Sequence, residues 1–207
     1  MKRRTIGIVD YGVGNIGSLE RSLSALGYRC QTTANPDKLA DSDLILLPGV
    51  GAFPTAMAAL HAHDMVGFLQ ERAQSGQPLV GICLGMQLLA DRSDEIRETS
   101  GLGIIPGYVT ALDNADWHIG WNTLEASTRD PLVKASDGRA VYFNHSFALR
   151  TSSEYVIGVA RIDKGMTPFP VAIRRENTVG LQFHPEKSQT AGLQLLSDVI
   201  EGLCRAA

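Results

Sequence analysis

The sequence predicts an α/β protein: a doubly wound, mostly parallel sheet flanked by helices, with an additional antiparallel strand region. Three observations carry this. Short apolar runs alternate with amphipathic helical stretches through the first half of the chain. Those runs are apolar almost throughout, as expected of strands covered on both faces. After Gly101 the pattern changes to short strands separated by turns, which suits antiparallel pairing, with strands returning to the main sheet.

The elements follow in order. "TIGIV" (5–9) is a strand and "DYGVGN" (10–15) the turn after it. "IGSLERSLSALG" (16–27) has apolar residues at helical spacing, with Gly27 as its stop. "YRCQTT" (28–33) and "DLILL" (43–47) are the second and third strands. "PGVGAFP" (48–54), with its glycines and prolines, is expected to be a loop. "MVGFLQERAQSG" (65–76) is an amphipathic helix, "PLVGI" (78–82) the fourth strand and "LGMQLLADRS" (84–93) a helix. The second half offers "GIIPGYVTAL" (103–112), "HIGWNTLE" (118–125), "AVYFNHSFAL" (140–149), "YVIGVARI" (155–162), "PVAIRRE" (170–176) and "TVGLQFHPE" (178–186) as strands. "TAGLQLLSDVIEGLCRA" (190–206) closes the chain as an amphipathic helix.

A chain of 207 residues without repeats or low-complexity tracts is expected to form one domain, 1–207. A net charge of -3 gives no sign of a nucleic-acid or anionic-membrane surface. "MKRR" resembles the start of a signal peptide, but the apolar stretch after it is cut by Asp10 and no cleavage site follows, so no secretory signal is expected. No run reaches the ~18 apolar residues that a membrane span needs. Cys30, Cys83 and Cys204 are few, odd in number and far apart, which points to a reducing, cytoplasmic setting without a disulfide scaffold. No CxxC or clustered His/Cys spacing suggests a metal. His61 and His63 read as surface residues.

"GICLG" (81–85) places Cys83 between two glycines at a strand-to-helix turn, the thiol version of a nucleophile elbow. Such a turn exposes the side chain at the carboxyl edge of the sheet, where these folds bind ligands. The start of the following helix favours the thiolate, and the Leu84 N–H can face an oxyanion formed by attack at Cys83. A nucleophile needs a base, and "QFHPE" (182–186) supplies one. In an extended segment His184 and Glu186 share a face, so Glu186 can orient His184. "LPGVGAF" (47–53) leaves a strand end and can offer a second oxyanion N–H, from Val50 or Gly51. "DYGVGNIGS" (10–18) lacks the order of a dinucleotide or P-loop motif, so a nucleotide site is not expected.

Together these pieces resemble the class I (triad) glutamine amidotransferases. Within that family the likeness is to the glutaminase subunits of imidazole glycerol phosphate synthases. It rests on "DYGVGN" (10–15), "LPGVGAF" (47–53), "GICLGMQLL" (81–89), "GWN" (120–122), "HSF" (145–147) and "QFHPEKS" (182–188), spread along the chain in the family's order. Trp117 stands where the family carries a proline, Asn144 where it has an apolar residue and Phe147 where it has a tyrosine. The resemblance implies a flavodoxin-like class I glutaminase fold and hydrolysis of glutamine by Cys83, His184 and Glu186. It implies that Gly51, Gln87 and the backbone around His145, Ser146 and Phe147 contact glutamine, without a cofactor. Gln87, four residues after Cys83, falls one helical turn on. The resemblance further implies a separate (β/α)8-barrel synthase subunit that receives the ammonia and makes imidazole glycerol phosphate in histidine biosynthesis, with Asn15, Trp121 and Lys187 near the interface. Extended backbone would point Lys187 away from His184. Paralogous glutaminases feeding sugar-amidating synthases, and a catalytically silent binding module, are the alternatives.

Overall fold

The computed structural model describes residues 3–113, 115–126, 130–162 and 167–206; Met1 and Lys2 of "MKRR" lie outside them. The first half runs β1 (Thr5–Val9), α1 (Ile16–Ala25), β2 (Arg29–Thr33), α2 (Pro36–Leu39), β3 (Leu44–Gly49), α3 (Phe53–Ala62), α4 (Met65–Gln74), β4 (Leu79–Cys83) and α5 (Leu84–Leu88). The second half runs β5 (Arg92–Ser93), β6 (Thr99–Ser100), β7 (Tyr108–Ala111), β8 (His118–Thr123), β9 (Ala140–His145), β10 (Phe147–Arg150), β11 (Val156–Ala160), β12 (Phe169–Arg175), β13 (Thr178–Leu181) and α6 (Gln189–Ala206).

The main sheet has seven strands in the order β11-β12-β13-β4-β3-β1-β2. Strands β2, β1, β3, β4 and β13 pair in parallel, and β12 and β11 extend that edge antiparallel. A four-stranded sheet, β10-β7-β5-β6, and a β8–β9 pair complete the mixed architecture. The mostly parallel sheet with an antiparallel region is thus observed. Alternate residues of the parallel strands feed opposite faces. Ile6, Ile8, Leu44, Leu46, Val80 and Ile82 pack with Leu19 and Leu23 of α1 and Leu196 and Val199 of α6. Ile45, Leu47 and Leu79 pack on the other face with Met57, Leu60, Leu69 and Met86 of α3, α4 and α5. Among the described residues no helix is long and apolar enough to cross a membrane.

Several elements differ from the sequence expectation. The expected loop 48–54 ends early, because α3 starts at Phe53 with Pro54 in its first turn; proline fits there, where its missing N–H has no partner to lose. Helix α2 starts behind Asn35, whose side chain accepts from the Asp37 and Lys38 N–H groups. The helix expected over 84–93 stops at Leu88. Its last carbonyls are taken by the following loop: Leu102 N–H donates to Leu88, Gly103 N–H to Ala90, and Ile104 N–H to Leu89. The expected strand 140–149 divides at Ser146, with β9 joining β8 and β10 joining β7. After β13 the chain leaves extended geometry, and Pro185–Lys187 form a 3-10 turn.

The sharpest demand on sequence lies between β4 and α5. Cys83 sits at φ 55° and ψ −113°, a strained backbone for a residue with a side chain. A Cβ at Gly85 would stand 1.8 Å from the Leu47 carbonyl oxygen, and one at Gly81 would stand 2.4 Å from the Gly85 carbonyl oxygen. Helix α5 therefore rests directly on β3 and β4. Gly85→Ala is expected to destabilise the fold by about 3 kcal/mol or more. Gly67→Ala in α4, where a Cβ meets nothing within 4 Å, is expected to stabilise it by about 0.5–1 kcal/mol. Urea denaturation of both variants checks this contrast; equal midpoints would refute the close-packing argument.

Candidate functional site

Sheet order assembles the site. Strand β4 lies between β3 and β13, with Gly49 opposite Cys83 and Leu181 opposite Ile82. The segments after these three strands therefore leave the same edge side by side. They bring Val50–Gly51, Cys83–Leu84 and His184 to one cavity of about 310 Å³, which Gln87, Glu95, Asn144, His145, Ser146 and Phe147 also line. Glu186 stands behind His184.

The His184 ring is clamped by its backbone. The His184 backbone N–H donates to the Tyr142 carbonyl at 2.9 Å, and the His184 carbonyl accepts from the Ser188 hydroxyl at 2.6 Å. Ser188 Oγ in turn accepts from Tyr142 N–H at 2.9 Å, which ties the 3-10 turn to β9. The turn corrects the expectation of an extended H-P-E segment. Glu186 still reaches the ring: His184 Nδ1 is 2.8 Å from Glu186 Oε1, both side chains being nearly fully buried. A short turn folds the carboxylate back onto the residue two positions earlier, so the pairing does not need a strand. Nδ1–H donating to Glu186 leaves Nε2 for Cys83, which lines the same cavity. Burial alone would push the imidazolium pKa down. Attraction to Cys83 and Glu186 outweighs it and raises the pKa to about 9.

The turn after β3 is held from two sides. Tyr11 Oη donates to the Pro48 carbonyl at 2.8 Å, and burial raises the phenol pKa. A Cβ on Gly49 would meet Tyr11 Oη at 2.7 Å and Leu84 Cβ at 3.0 Å, and Gly51 adopts φ +91°. Glu95 Oε2 accepts from Phe53 N–H at 2.8 Å and so closes the start of α3; burial raises its carboxyl pKa. Gln87 is buried, and its Nε2 donates to the Phe147 carbonyl at 2.8 Å and to Gln182 Oε1 at 3.0 Å. With both amide hydrogens engaged, Oε1 is the end that can receive a donor from the cavity.

The sequence reading passes over Gln182, Glu95, Tyr11 and His118. Gln182 is fully buried and its Nε2 lies 3.9 Å from Cys83 Sγ, as a donor. The Cys83 thiol also lies 3.8 Å from the Asn144 carbonyl. The polar residue at the apolar strand end in "LQFHPE" is the available signal for Gln182. Glu95 reaches the cavity, and Tyr11 the turn beside it, from loops with no periodicity to read.

The remaining expected residues lie outside the cavity. Trp121 is 51% exposed, so it is a surface residue, and its ring meets Tyr142 edge-on with centroids 6.0 Å apart. Lys187 Nζ lies 6.0 Å from the centre of the same Tyr142 ring. Asn15 is exposed and borders a small void beside Glu186. His61 and His63 are exposed, and all three cysteines are free.

Residues 7–201 match the family described as glutamine amidotransferase class-I. A Bacillus cereus (strain B4264) protein named imidazole glycerol phosphate synthase subunit HisH is 44% identical over 196 residues, 93% of this chain and 92% of that protein. A Carboxydothermus hydrogenoformans protein of the same name is 41% identical over 199 residues, 95% of this chain and 98% of its own. Among solved structures, PurLQS from Thermotoga maritima superposes with a TM-score of 0.76 at 19% identity, covering 98% of this chain and 100% of that one. A glutamine amidotransferase from the same organism gives 0.69 at 17% identity, covering 99% of each chain. At those identities the likeness is one of fold.

The His184 environment has a measurable sign. Its folded pKa of about 9 lies above the ordinary 6.5. The folded state thus holds a proton that the unfolded chain gives up between these values. That contribution to stability is complete below pH 6.5 and is lost as pH rises through 9. Glu186→Gln keeps an acceptor for Nδ1–H and removes the charge. It is expected to lower the His184 pKa and shrink the loss of stability over that window. NMR titration of the ring, with denaturation at pH 6 and pH 9, checks both; an unmoved titration would contradict the assignment.

Proposed function

Because the chain belongs to the class I glutamine amidotransferase family, we propose that it hydrolyses L-glutamine to glutamate and ammonia through a thioester on Cys83. One observation carries this reading above the family membership. A cysteine on a strained strand-to-helix turn shares a cavity with a histidine that a buried glutamate orients.

The steps follow from the geometry. Cys83 Sγ attacks the side-chain amide carbon of glutamine, and the carbonyl electron pair moves to oxygen. The Leu84 N–H, at the start of α5, and an N–H of the Val50–Gly51 turn are the donors for that oxyanion. Protonated His184 delivers its proton from Nε2 to the leaving nitrogen, the C–N bond breaks and ammonia departs. Neutral His184 then takes a proton from water, whose oxygen attacks the thioester, and the C–S bond breaks to return the thiolate. Glu186 holds Nδ1–H throughout and stabilises the imidazolium whenever it forms. Gln87 Oε1, Gly51 and the backbone at His145, Ser146 and Phe147 receive the substrate.

We further propose that the chain works with a synthase partner, in keeping with the names of its relatives. In water at neutral pH ammonia is protonated and lost as a nucleophile, so a docked acceptor protects the product. That partner is a (β/α)8-barrel protein making imidazole glycerol phosphate in histidine biosynthesis. Trp121, Lys187 and Asn15 are its contact candidates. Exposed Trp117 and Ile119 lie beside Trp121 on β8 and the turn before it.

Cys83→Ala is expected to abolish ammonia release from glutamine, measured in the complex with the ligand-bound synthase. Glu186→Gln is expected to lower kcat by about a hundredfold or more. Undiminished release in Cys83→Ala would end the thioester reading. Trp121→Ala is expected to weaken binding to the synthase by about 30-fold in calorimetric titration; unchanged affinity would place the interface elsewhere.

A further inference from the structure

A line of hydrogen bonds runs from β8 to the cavity, buried at its centre between His118 and His145. Asn122 Nδ2 donates to the Arg161 carbonyl at 2.7 Å, and Asn122 Oδ1 accepts from Thr123 N–H at 2.7 Å. These two partners fix which end of the amide is nitrogen. The same Nδ2 lies 3.0 Å from His118 Nε2, which is therefore the acceptor. A neutral His118 then carries its proton on Nδ1, 3.0 Å from His145 Nε2. At the far end His145 Nδ1 lies 2.9 Å from the Phe147 carbonyl, which can only accept. His145 must carry its proton on Nδ1 and accept on Nε2. The donors and acceptors therefore run in one direction without conflict.

The environment keeps both rings neutral, as the line requires. Burial lowers the His118 pKa, and burial of His145 lowers its pKa to about 4, with His118 and His184 adding to the effect. The line continues past His145. The Phe147 carbonyl also accepts from Gln87 Nε2, Gln87 donates to Gln182, and Gln182 Nε2 approaches Cys83 Sγ.

We propose that His118 is a positioning residue for the cavity: through His145 in its Nδ1–H form it fixes the Phe147 carbonyl and the Asn144–Phe147 segment on which substrate rests. The inference depends on the glutaminase reading for its kinetic consequence. His118 does not line the cavity itself. Its ring stacks on Phe143 with centroids 4.4 Å apart and meets Phe169 edge-on at 5.6 Å. A phenylalanine there keeps the packing and deletes the donor, leaving His145 Nε2 buried and unpaired. An asparagine keeps a donor near the Nδ1 position.

The test uses the full chain in complex with its synthase. His118→Phe is expected to raise KM for glutamine about tenfold with kcat changed by less than about threefold, since the lost support is for binding that ground and transition states share. His118→Asn is expected to restore KM to within about threefold of wild type. Imidazole ¹⁵N spectra of the wild-type chain alone are expected to show His145 protonated on Nδ1 and unprotonated on Nε2 at neutral pH. In His118→Phe the Nε2 resonance is expected to move. A His145 protonated on Nε2, an unchanged KM in His118→Phe, or an equal defect in His118→Asn would overturn the proposal. Failure of the glutaminase reading looks different: the wild-type complex then releases no ammonia, while the nitrogen spectra still decide whether the line exists.

Discussion

The close passage of α5 over β3 and β4 is the constraint on which the rest of the site depends. Gly85 lies against the Leu47 carbonyl and Gly81 against the backbone of Gly85, with no space for a side chain at either position. That contact forces the chain to turn within one residue, and the residue at the turn is Cys83, in a backbone conformation that only tight surroundings sustain. All of α5 is buried, so the surroundings are tight. The strain has a geometric return. A cysteine placed inside β4 would point into one of the two cores. At the turn it faces the cavity from the carboxyl edge of the sheet, between the segments that follow β3 and β13.

Electrostatics then divides the work among similar groups. His184 and His145 are both buried and line the same cavity, yet their proton affinities move in opposite directions. His184 is hydrogen-bonded to the Glu186 carboxylate and is drawn to Cys83, so burial loses to attraction. His145 hydrogen-bonds a carbonyl and a neutral imidazole, so burial wins. One ring can therefore carry a proton at neutral pH and the other cannot, which suits transfer in the first case and fixed hydrogen bonding in the second. The buried amides are equally directed. Gln87 uses both of its hydrogens on the protein, which leaves only its oxygen to face the cavity.

Much of this is legible in the sequence, for identifiable reasons. The central parallel strands β1, β3 and β4 are continuous apolar runs, and their bounds can be read to within a residue or two. The pairing of G-x-C-x-G with H-P-E brings Cys83, His184 and Glu186 forward because each motif states a local geometry. The misses have physical causes too. Helix α3 opens on Phe-Pro after a glycine-rich loop, so composition hides a legitimate first turn. Helix α5 looks ten residues long, but the loop at 101–105 takes its last carbonyls, a non-local effect. Extended geometry is the wrong premise for H-P-E, although the His184–Glu186 contact holds in a 3-10 turn. Gln182 and His118 depend on partners 99 and 27 residues away, and no local pattern encodes such contacts.

Strand β8 links the two scales of the molecule. Its residues alternate, with His118 buried and Asn122 half-buried on one side, and Ile119 and Trp121 exposed on the other. The inner side carries the hydrogen bonds that run to His145, and the outer side carries the proposed partner contact. A strand cannot shift one face without the other. In the proposed complex, a partner that grips Trp121 therefore also sets where His118 stands. The cavity wall at Asn144–Phe147 belongs to strands paired with β8 and β7. On the proposed reading, the wall that receives substrate is joined through β8–β9 pairing to the face that meets the partner, whereas Cys83 and the α5 turn belong to the central sheet.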